Sequence, residues 1–409
     1  MIPLPMQPDT TFLISHRLYT HRLIGPQFPD PAAVVAHFGA VQGQDTIYSL
    51  WALGLRVTGA TEAVIEQAIA DRQLVRTWPM RLTLHYVTAA DARWIVRLNA
   101  ERTLRGAARR LRELELDDET FARSRRAMES ALADGEPLSR PALYEALDAA
   151  GVSPAGQRGY YLMWYHANEG LIAIGPRQDK QQTVVLLDAW LPPTPERTRD
   201  EALAELAWRY FRSHGPATIK DYIWWSGLAA AEARAGVAMI QSRLVSETVG
   251  KETYWYAPPL ISDEIVSPTA HLLPFVDEYT VAYRDRDAVL LPEYNALVES
   301  GNVIFHAPFL IDGRVACLLY TSWRTYNAEL VRQYGQENWD ELLADVANSC
   351  HELTAFFGTI PAEEFDRDRG IRFRGYKVTI ARLLEADVKD VTTHAAQVAA
   401  FRAGPSSLA

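Results

Sequence analysis

The chain has 409 residues and a net charge of −10 at pH 7, with 48% hydrophobic and 22% charged residues. A single core rarely grows past roughly 250 to 300 residues, so this length predicts two to four domains, and the composition excludes collagen-like, disordered and disulfide-scaffold classes. Cys317 and Cys350 are the only cysteines, which supports neither a disulfide framework nor a CxxC-type zinc site; with no apolar run of about 18 residues and no signal-peptide pattern in Met1-Ile2-Pro3-Leu4-Pro5, a cytoplasmic protein without membrane association is expected.

Read in chain order, the first third is helical and punctuated by Pro and Gly. Pro31 opens a helix over Ala32 to Phe38, and Thr61 caps one over Glu62 to Asp71. Leu74 to Trp78 follows, then a β-like Thr83-Leu84-His85-Tyr86-Val87. Helix, helix, strand, strand is the order of a winged helix. A second unit starts at Ser139, an N-cap before Pro141, and runs through a turn at Gly151 to Gly156 and a helix over Tyr160 to Glu169. Gly170 to Gly175 and Thr183 to Leu187 then form a wing with Arg177 and Lys180 at its tip. After the linker Pro192-Pro193-Thr194-Pro195, a third unit reads as helices over Glu201 to His214, Thr218 to Trp225 and Ala229 to Gln241, closed by a hairpin across Gly250-Lys251.

From about residue 262 the texture is β-prone: His271-Leu272-Leu273, Thr280-Val281-Ala282-Tyr283, Asn302 to Phe305 and Arg314-Val315-Ala316, then a helix from about Trp339 to Phe357. The predicted fold is α+β, with winged-helix units over 1–135, 136–192 and 193–260 and a small C-terminal barrel or sheet with an appended helix over 261–409.

Catalytic signatures are scarce. HExxH, GxSxG, GxxxxGK[ST] and GxGxxG are all absent, so no cofactor is expected, and His16 and His21 have the wrong spacing to bind a metal on one helical face, so none is expected either. The charge is unevenly placed: residues 1 to 135 sum to +1 and the remainder to −11, while residues 93 to 112 hold seven arginines against Glu101. That stretch fits either a nucleic-acid contact or a solvated helix face. The segment that stands out is Gln42-Gly43-Gln44-Asp45, two glutamines one residue apart in an otherwise apolar run. Buried carboxamides are costly unless used. They either satisfy backbone groups in a turn or do chemistry.

Gln42-Gly43-Gln44-Asp45, Trp51 to Arg56, Leu74 to His85, Leu272 to Tyr279, Tyr283-Arg284 and Asp312 to Val315 together resemble the AlkZ/YcaQ-like winged-helix DNA glycosylases, which carry a Q-Φ-Q motif. The resemblance implies three tandem winged helices on a β-barrel, forming a concave surface for double-stranded DNA, and excision of bulky N-alkylated purines including crosslinks. Gln42 and Gln44 fall on the motif's two glutamines. Gly43 stands where an apolar side chain is usual, Leu82 where Gly is common, and Leu318-Leu319 near a usual Gly-Thr-Trp.

Alkylation at N7 makes a purine a good leaving group, so little acid catalysis is needed. Gln44 is expected to position water, Gln42 to hold the sugar or water, and Asp45 to serve as an extra base. No lysine precedes Lys180, which disfavours a Schiff-base lyase step in this unit and predicts a monofunctional enzyme; a glycosylase is also expected to act as a monomer. The expected DNA contacts are Arg56, Arg76, Arg81 and His85, with Trp78 as a wedge or stacking residue and Arg177 and Lys180 as phosphate contacts from the wing. The alternatives are a winged-helix DNA binder without catalysis, which would prefer a sequence rather than a lesion, and an interaction scaffold using the acidic C-terminal region, which would not bind DNA.

Overall fold

The computed structural model describes residues 8–178, 181–258, 269–290 and 307–319, and parts of 348–385. Two compact units result, one over Pro5–Thr321 and one formed by Met1–Leu4 with Ser322–Ala409.

The larger unit begins with α1 (Pro8–Thr20), α2 (Pro31–Phe38), the short strand β1 (Val41–Gln42), α3 (Thr46–Gly54) and α4 (Glu62–Ala70). Local chemistry sets these boundaries. Asp30, Asp45 and Thr61 each accept a hydrogen bond from the backbone N–H three residues on, and Pro31 occupies the first turn of α2, where its missing N–H costs nothing. Next come β2 (Leu74–Met80) and β3 (Thr83–Thr88), the 22-residue α5 (Ala92–Glu113), α6 (Asp118–Ala131), β4 (Leu138–Ser139), α7 (Arg140–Ala149) and α8 (Arg158–Asn168). The expected cap at Ser139 is present, its hydroxyl accepting from the Ala142 N–H. β5 (Ile172–Ile174), β6 (Thr183–Leu186) and the single turn α9 (Leu187–Trp190) complete this half.

The strands β1 to β6 form one antiparallel sheet in the order β1-β3-β2-β5-β6-β4. The hairpins assigned to two separate units therefore share a sheet, joined where Arg76 of β2 faces Ile174 of β5. Edge pairing of this kind removes two exposed strand edges at once.

The β2–β3 hairpin ends in a two-residue turn, Arg81-Leu82, closed by the pair Met80 and Thr83. Both turn residues have left-handed φ, 52° and 60°. Such turns favour Asn-Gly, and a left-handed non-glycine residue costs roughly 1–2 kcal/mol.

A second half follows: α10 (Arg199–Ser213), α11 (Ile219–Ser226), α12 (Ala230–Ile240), then β7 (Val245–Val249) and β8 (Glu252–Tyr256) as a separate hairpin. Capping boxes at Thr198 with Glu201 and at Thr218 with Asp221 start the first two helices. Leu203, Leu206, Tyr210, Trp225 and Val237 of these helices pack with Trp94 and Leu98 of α5 and Val75 and Val87 of the sheet in one buried core. Helices followed by a hairpin thus recur three times.

β9 (Ala270–Leu272), the turn-length helix α13 (Glu278–Val281), β10 (Ala307–Ile311) and β11 (Arg314–Leu319) close the unit. The three strands form an open sheet in the order β11-β10-β9, and no closed barrel is present among the described residues. Thr280 to Tyr283, expected as a strand, begins inside α13, because Asp277 caps the helix by accepting from the Tyr279 N–H and Thr280, Val281 and Tyr283 are buried there. The predicted strand over Asn302 to Phe305 and most of the predicted helix over 339–357 lie outside the described residues; those of the latter that are described are helical.

The smaller unit contains α14 (Ala362–Phe365) and a hairpin of β12 (Arg372–Phe373) with β13 (Tyr376–Lys377).

Candidate active site

The two-glutamine segment lies where β1 leaves the sheet and α3 begins. Gln42 faces His85 across β1 and β3. The Gly43 N–H donates to the Leu84 carbonyl at 2.7 Å, and the Leu84 N–H donates to the Gln44 side-chain oxygen at 3.1 Å. The motif is therefore stitched to β3 by both backbone groups of Leu84. The Gln42 side-chain oxygen turns back to accept from the N–H groups of Gly43 (3.0 Å) and Gln44 (3.2 Å). Only an oxygen can meet a backbone N–H, so both carboxamides have fixed orientations. Gln42 is buried and Gln44 exposed. Of the two readings left open by sequence, the first describes Gln42, whose oxygen satisfies backbone groups in the turn that presents Gln44. Asp45 is the N-cap of α3, with one oxygen 3.0 Å from the Tyr48 N–H.

Behind the motif sits a carboxylate that sequence reasoning did not single out. Glu278 of α13 is 1% exposed. One oxygen accepts from the Gln42 N–H at 2.7 Å, and the other from the Trp225 Nε1–H at 3.0 Å and from His214 Nε2 at 3.4 Å. Burial opposes its charge, but the hydrogen bond from His214 and the nearby His85 and Arg81 outweigh that, holding the group at about 2. Glu278 lies 236 residues from Gln42, so no local pattern reports the contact; its only sequence signal is its place in the Leu272 to Tyr279 segment.

His85 is fully buried, and desolvation together with the adjacent Arg81 lowers it to about 4. Neutral, it donates from Nδ1 to the Thr83 carbonyl (2.9 Å) and accepts at Nε2 from Arg81 (3.3 Å). Arg76 crosses the motif: its guanidinium donates to the Gly43 carbonyl at 3.3 Å and to the Thr46 hydroxyl at 2.7 Å. A Cβ at position 43 would stand 3.1 Å from Arg76 Cδ and 3.3 Å from Tyr86 Cδ2. Gly43 therefore leaves the room that Arg76 fills. Arg76, Tyr86 and Thr46 also line a cleft of about 280 Å³ between α3, α4 and the β5–β6 hairpin.

These placements revise the expected DNA contacts. Arg56 is 2% exposed and forms a bidentate ion pair with Asp277 at 2.7 and 2.9 Å, which braces the end of α3 against α13 and commits its charge internally. Arg76 and His85 are buried beneath the motif. Trp78 lies in the core beside Leu84, Met163 and Trp164, donating from Nε1 to the Tyr160 hydroxyl at 3.2 Å, and so cannot stack on a base. Arg177 is paired with Glu62 and Glu66 of α4, which compete with any phosphate for its charge. Lys180 lies outside the described residues. Arg81 and Arg177 are the partly exposed members of the described set, and of the two Arg81 has no carboxylate partner among the described ion pairs. The basic stretch on α5 is largely self-compensated, with Arg93 on Asp188, Arg97 on Glu196, Arg105 on Glu101, and Arg109 and Arg110 on Glu113.

The family description "DNA glycosylase AlkZ-like" matches residues 35–356, most of the chain and all of the residues around the two-glutamine motif. The chain belongs to the AlkZ-like DNA glycosylase family. Among solved structures, the DNA glycosylase AlkZ of Streptomyces sahachiroi is similar at a TM-score of 0.64, with 20% sequence identity over 78% of this chain and 89% of that one, a likeness of fold. No curated protein sequence matches. No group of three or more His, Cys, Asp or Glu that could hold a metal ion occurs among the described residues, and no described helix is long and apolar enough to cross a membrane.

Proposed function

We propose that this AlkZ-like glycosylase hydrolyses the N-glycosidic bond of N7- or N3-alkylated purines in duplex DNA, bulky adducts and crosslinks included, as a monofunctional monomer. The three helix-and-hairpin arrangements are read as winged-helix units, with the two-glutamine segment of the first as the reacting centre. The observation that carries the proposal is the rigid presentation of an exposed Gln44 by buried groups.

The chemistry asks little of the protein. An alkylated purine is cationic and departs readily, so the protein has to stabilise an electron-poor sugar and place a water against it. The Gln44 oxygen uses one lone pair on the Leu84 N–H; a carbonyl oxygen has a second. That lone pair accepts from the attacking water and directs the negative end of the amide dipole at the developing cation. Such a dipole is effective because Leu84 already holds it in place, so no reorganisation is needed during reaction. Asp45 spends one oxygen on the helix cap and has the other free for the proton that water releases.

The test is release of base from a duplex carrying one N7-methylguanine, by wild type and by Gln44→Ala, read by alkaline cleavage of the abasic product. Release by wild type at a rate at least about a hundredfold above the variant, the loss typical for a key preorganised polar group, is expected. Equal release by both proteins removes Gln44 from the mechanism.

A further inference from the structure

We propose that Leu82 is an intercalating wedge, inserting between base pairs beside the lesion and opening the stack so that the damaged nucleotide reaches Gln44. This inference rests on the duplex-DNA reading above and adds a residue to it.

Four observations converge on this side chain. First, Leu82 is 54% exposed at the end of a hairpin whose body is otherwise interior: all seven residues of β2 and five of the six in β3 are buried. A single exposed leucine is ordinary; the surroundings of this one are not. Second, its backbone is left-handed, at φ 60°, a conformation in which Gly or Asn is favoured. An apolar side chain is retained at a position where its backbone is disfavoured and its surface meets water, so folding explains neither property. Backbone strain of this sort gathers at functional sites. Third, its turn partner is accounted for. Arg81 contacts His85 and packs so closely on the α11 C-cap that a Cβ on Gly227 would meet Arg81 Cγ at 3.3 Å, whereas Leu82 belongs to none of the four hydrophobic clusters of the described residues. The turn is thus anchored through Arg81 and holds Leu82 outward. Fourth, Leu84, two residues on, has both backbone groups bound by Gly43 and Gln44, so the tip is coupled to the reacting segment through a fixed strand. Ile47, in the first turn of α3, is 58% exposed and adds apolar surface next in sequence to the same segment.

The chemistry that matches a rigid, protruding aliphatic group beside a glycosylase centre is the base stack. Leu, Ile, Met and Phe side chains wedge into base steps and unstack them, at a cost of a few kcal/mol per step that is repaid by contacts the opened duplex permits. An alkylated, weakened base pair lowers that cost, which directs opening to the lesion. Trp78, the residue whose type first suggests this role, is committed to the core; Leu82, four residues along the same hairpin, is free to perform it.

The test uses a duplex with 2-aminopurine adjacent to N7-methylguanine, mixed with wild type, Leu82→Asn and Leu82→Phe. Asn is close to Leu in size and tolerates left-handed backbone, so Leu82→Asn should melt no lower than wild type while losing the apolar tip. The expected result is a rise in 2-aminopurine fluorescence on binding by wild type and Leu82→Phe, absent with Leu82→Asn, whose base release falls about tenfold, the factor for half a buried leucine. Fluorescence and release by Leu82→Asn equal to wild type would overturn the wedge and leave the glycosylase reading intact. A fluorescence rise lost in Leu82→Asn, with no base release by any protein, would uphold the wedge and overturn the glycosylase reading. No duplex binding by wild type would overturn both.

Discussion

Replacing Glu278 by Gln tests whether the reacting segment is held from beneath by charge. The substitution keeps shape and removes a carboxylate whose folded value is about 2 against an ordinary 4.5. At 1.36 kcal/mol per pH unit, that depression corresponds to about 3 kcal/mol of stability at neutral pH. A second estimate comes from hydrogen bonding. If the new amide oxygen keeps the Gln42 N–H, its NH₂ must face the N–H groups of Trp225 and His214, and each buried donor left unmatched costs about 1–3 kcal/mol. Two such donors give about 2–6 kcal/mol, a range that includes the roughly 3 kcal/mol of the first route. The pH dependence separates them from generic damage. A depressed carboxylate stabilises above its unfolded value, and the contribution disappears as pH falls from 4.5 towards 2. The wild-type advantage over Glu278→Gln, measured by urea unfolding from pH 7 to pH 3, should therefore shrink below about pH 4.5. His37 and His166, lowered by burial to about 3 and about 4, also cost stability as pH drops below 6.5, because the unfolded chain takes up their protons first; that slope is common to both proteins and cancels in the difference. A gap below about 1 kcal/mol at pH 7, or one constant down to pH 3, would refute the assignment of a buried carboxylate anchor.

Arg56→Gln removes the charge and the two-pronged pairing, leaving Asp277 buried without its partner; it should lower stability by about 3 kcal/mol or more and leave the salt slope of duplex binding unchanged, whereas a slope reduced by about one would return Arg56 to the phosphate contacts. Gly43→Ala places a methyl 3.1 Å from Arg76 Cδ, so it should destabilise by about 1 kcal/mol or more and slow base release. Adding Arg76→Met should restore most of that stability, and strict additivity of the two changes in a double-mutant cycle would show that they do not meet.

The parts of this molecule that sequence reveals are those governed by neighbours in the chain. Caps at Thr61 and Ser139 were readable because the acceptor and its N–H lie three residues apart, and the β2–β3 and β5–β6 hairpins because their strands are adjacent. The joining of those hairpins into one sheet depends on a single register contact between Arg76 and Ile174, for which neither strand carries a signal. Thr280 to Tyr283 has β-prone residues, yet Asp277 and burial make it begin as a helix. Arginine was the most misleading residue type. Arg56, Arg76 and Arg177 are charged and sit near the motif, which suggests phosphate, but each is spent internally, on Asp277, on Gly43 and Thr46, and on Glu62 and Glu66. Sequence shows a charge and not whether it has been met.

The same accounting bears on the reacting role proposed for the two amides. A glutamine on a flexible loop would present water with a dipole that must first be ordered, and would lose most of its electrostatic effect to solvent. Here the Gln42 oxygen fixes the turn through the Gly43 and Gln44 N–H groups, the Gln42 N–H is held by Glu278, and the Gln44 oxygen is fixed by Leu84. The Gln44 oxygen is thus held by the strand-bound Leu84 N–H, on a turn that is itself fixed by buried groups. The ordering entropy is met at folding and not at reaction. That requires a long-range scaffold, which is why α13, more than two hundred residues downstream, supplies the group on which the segment rests.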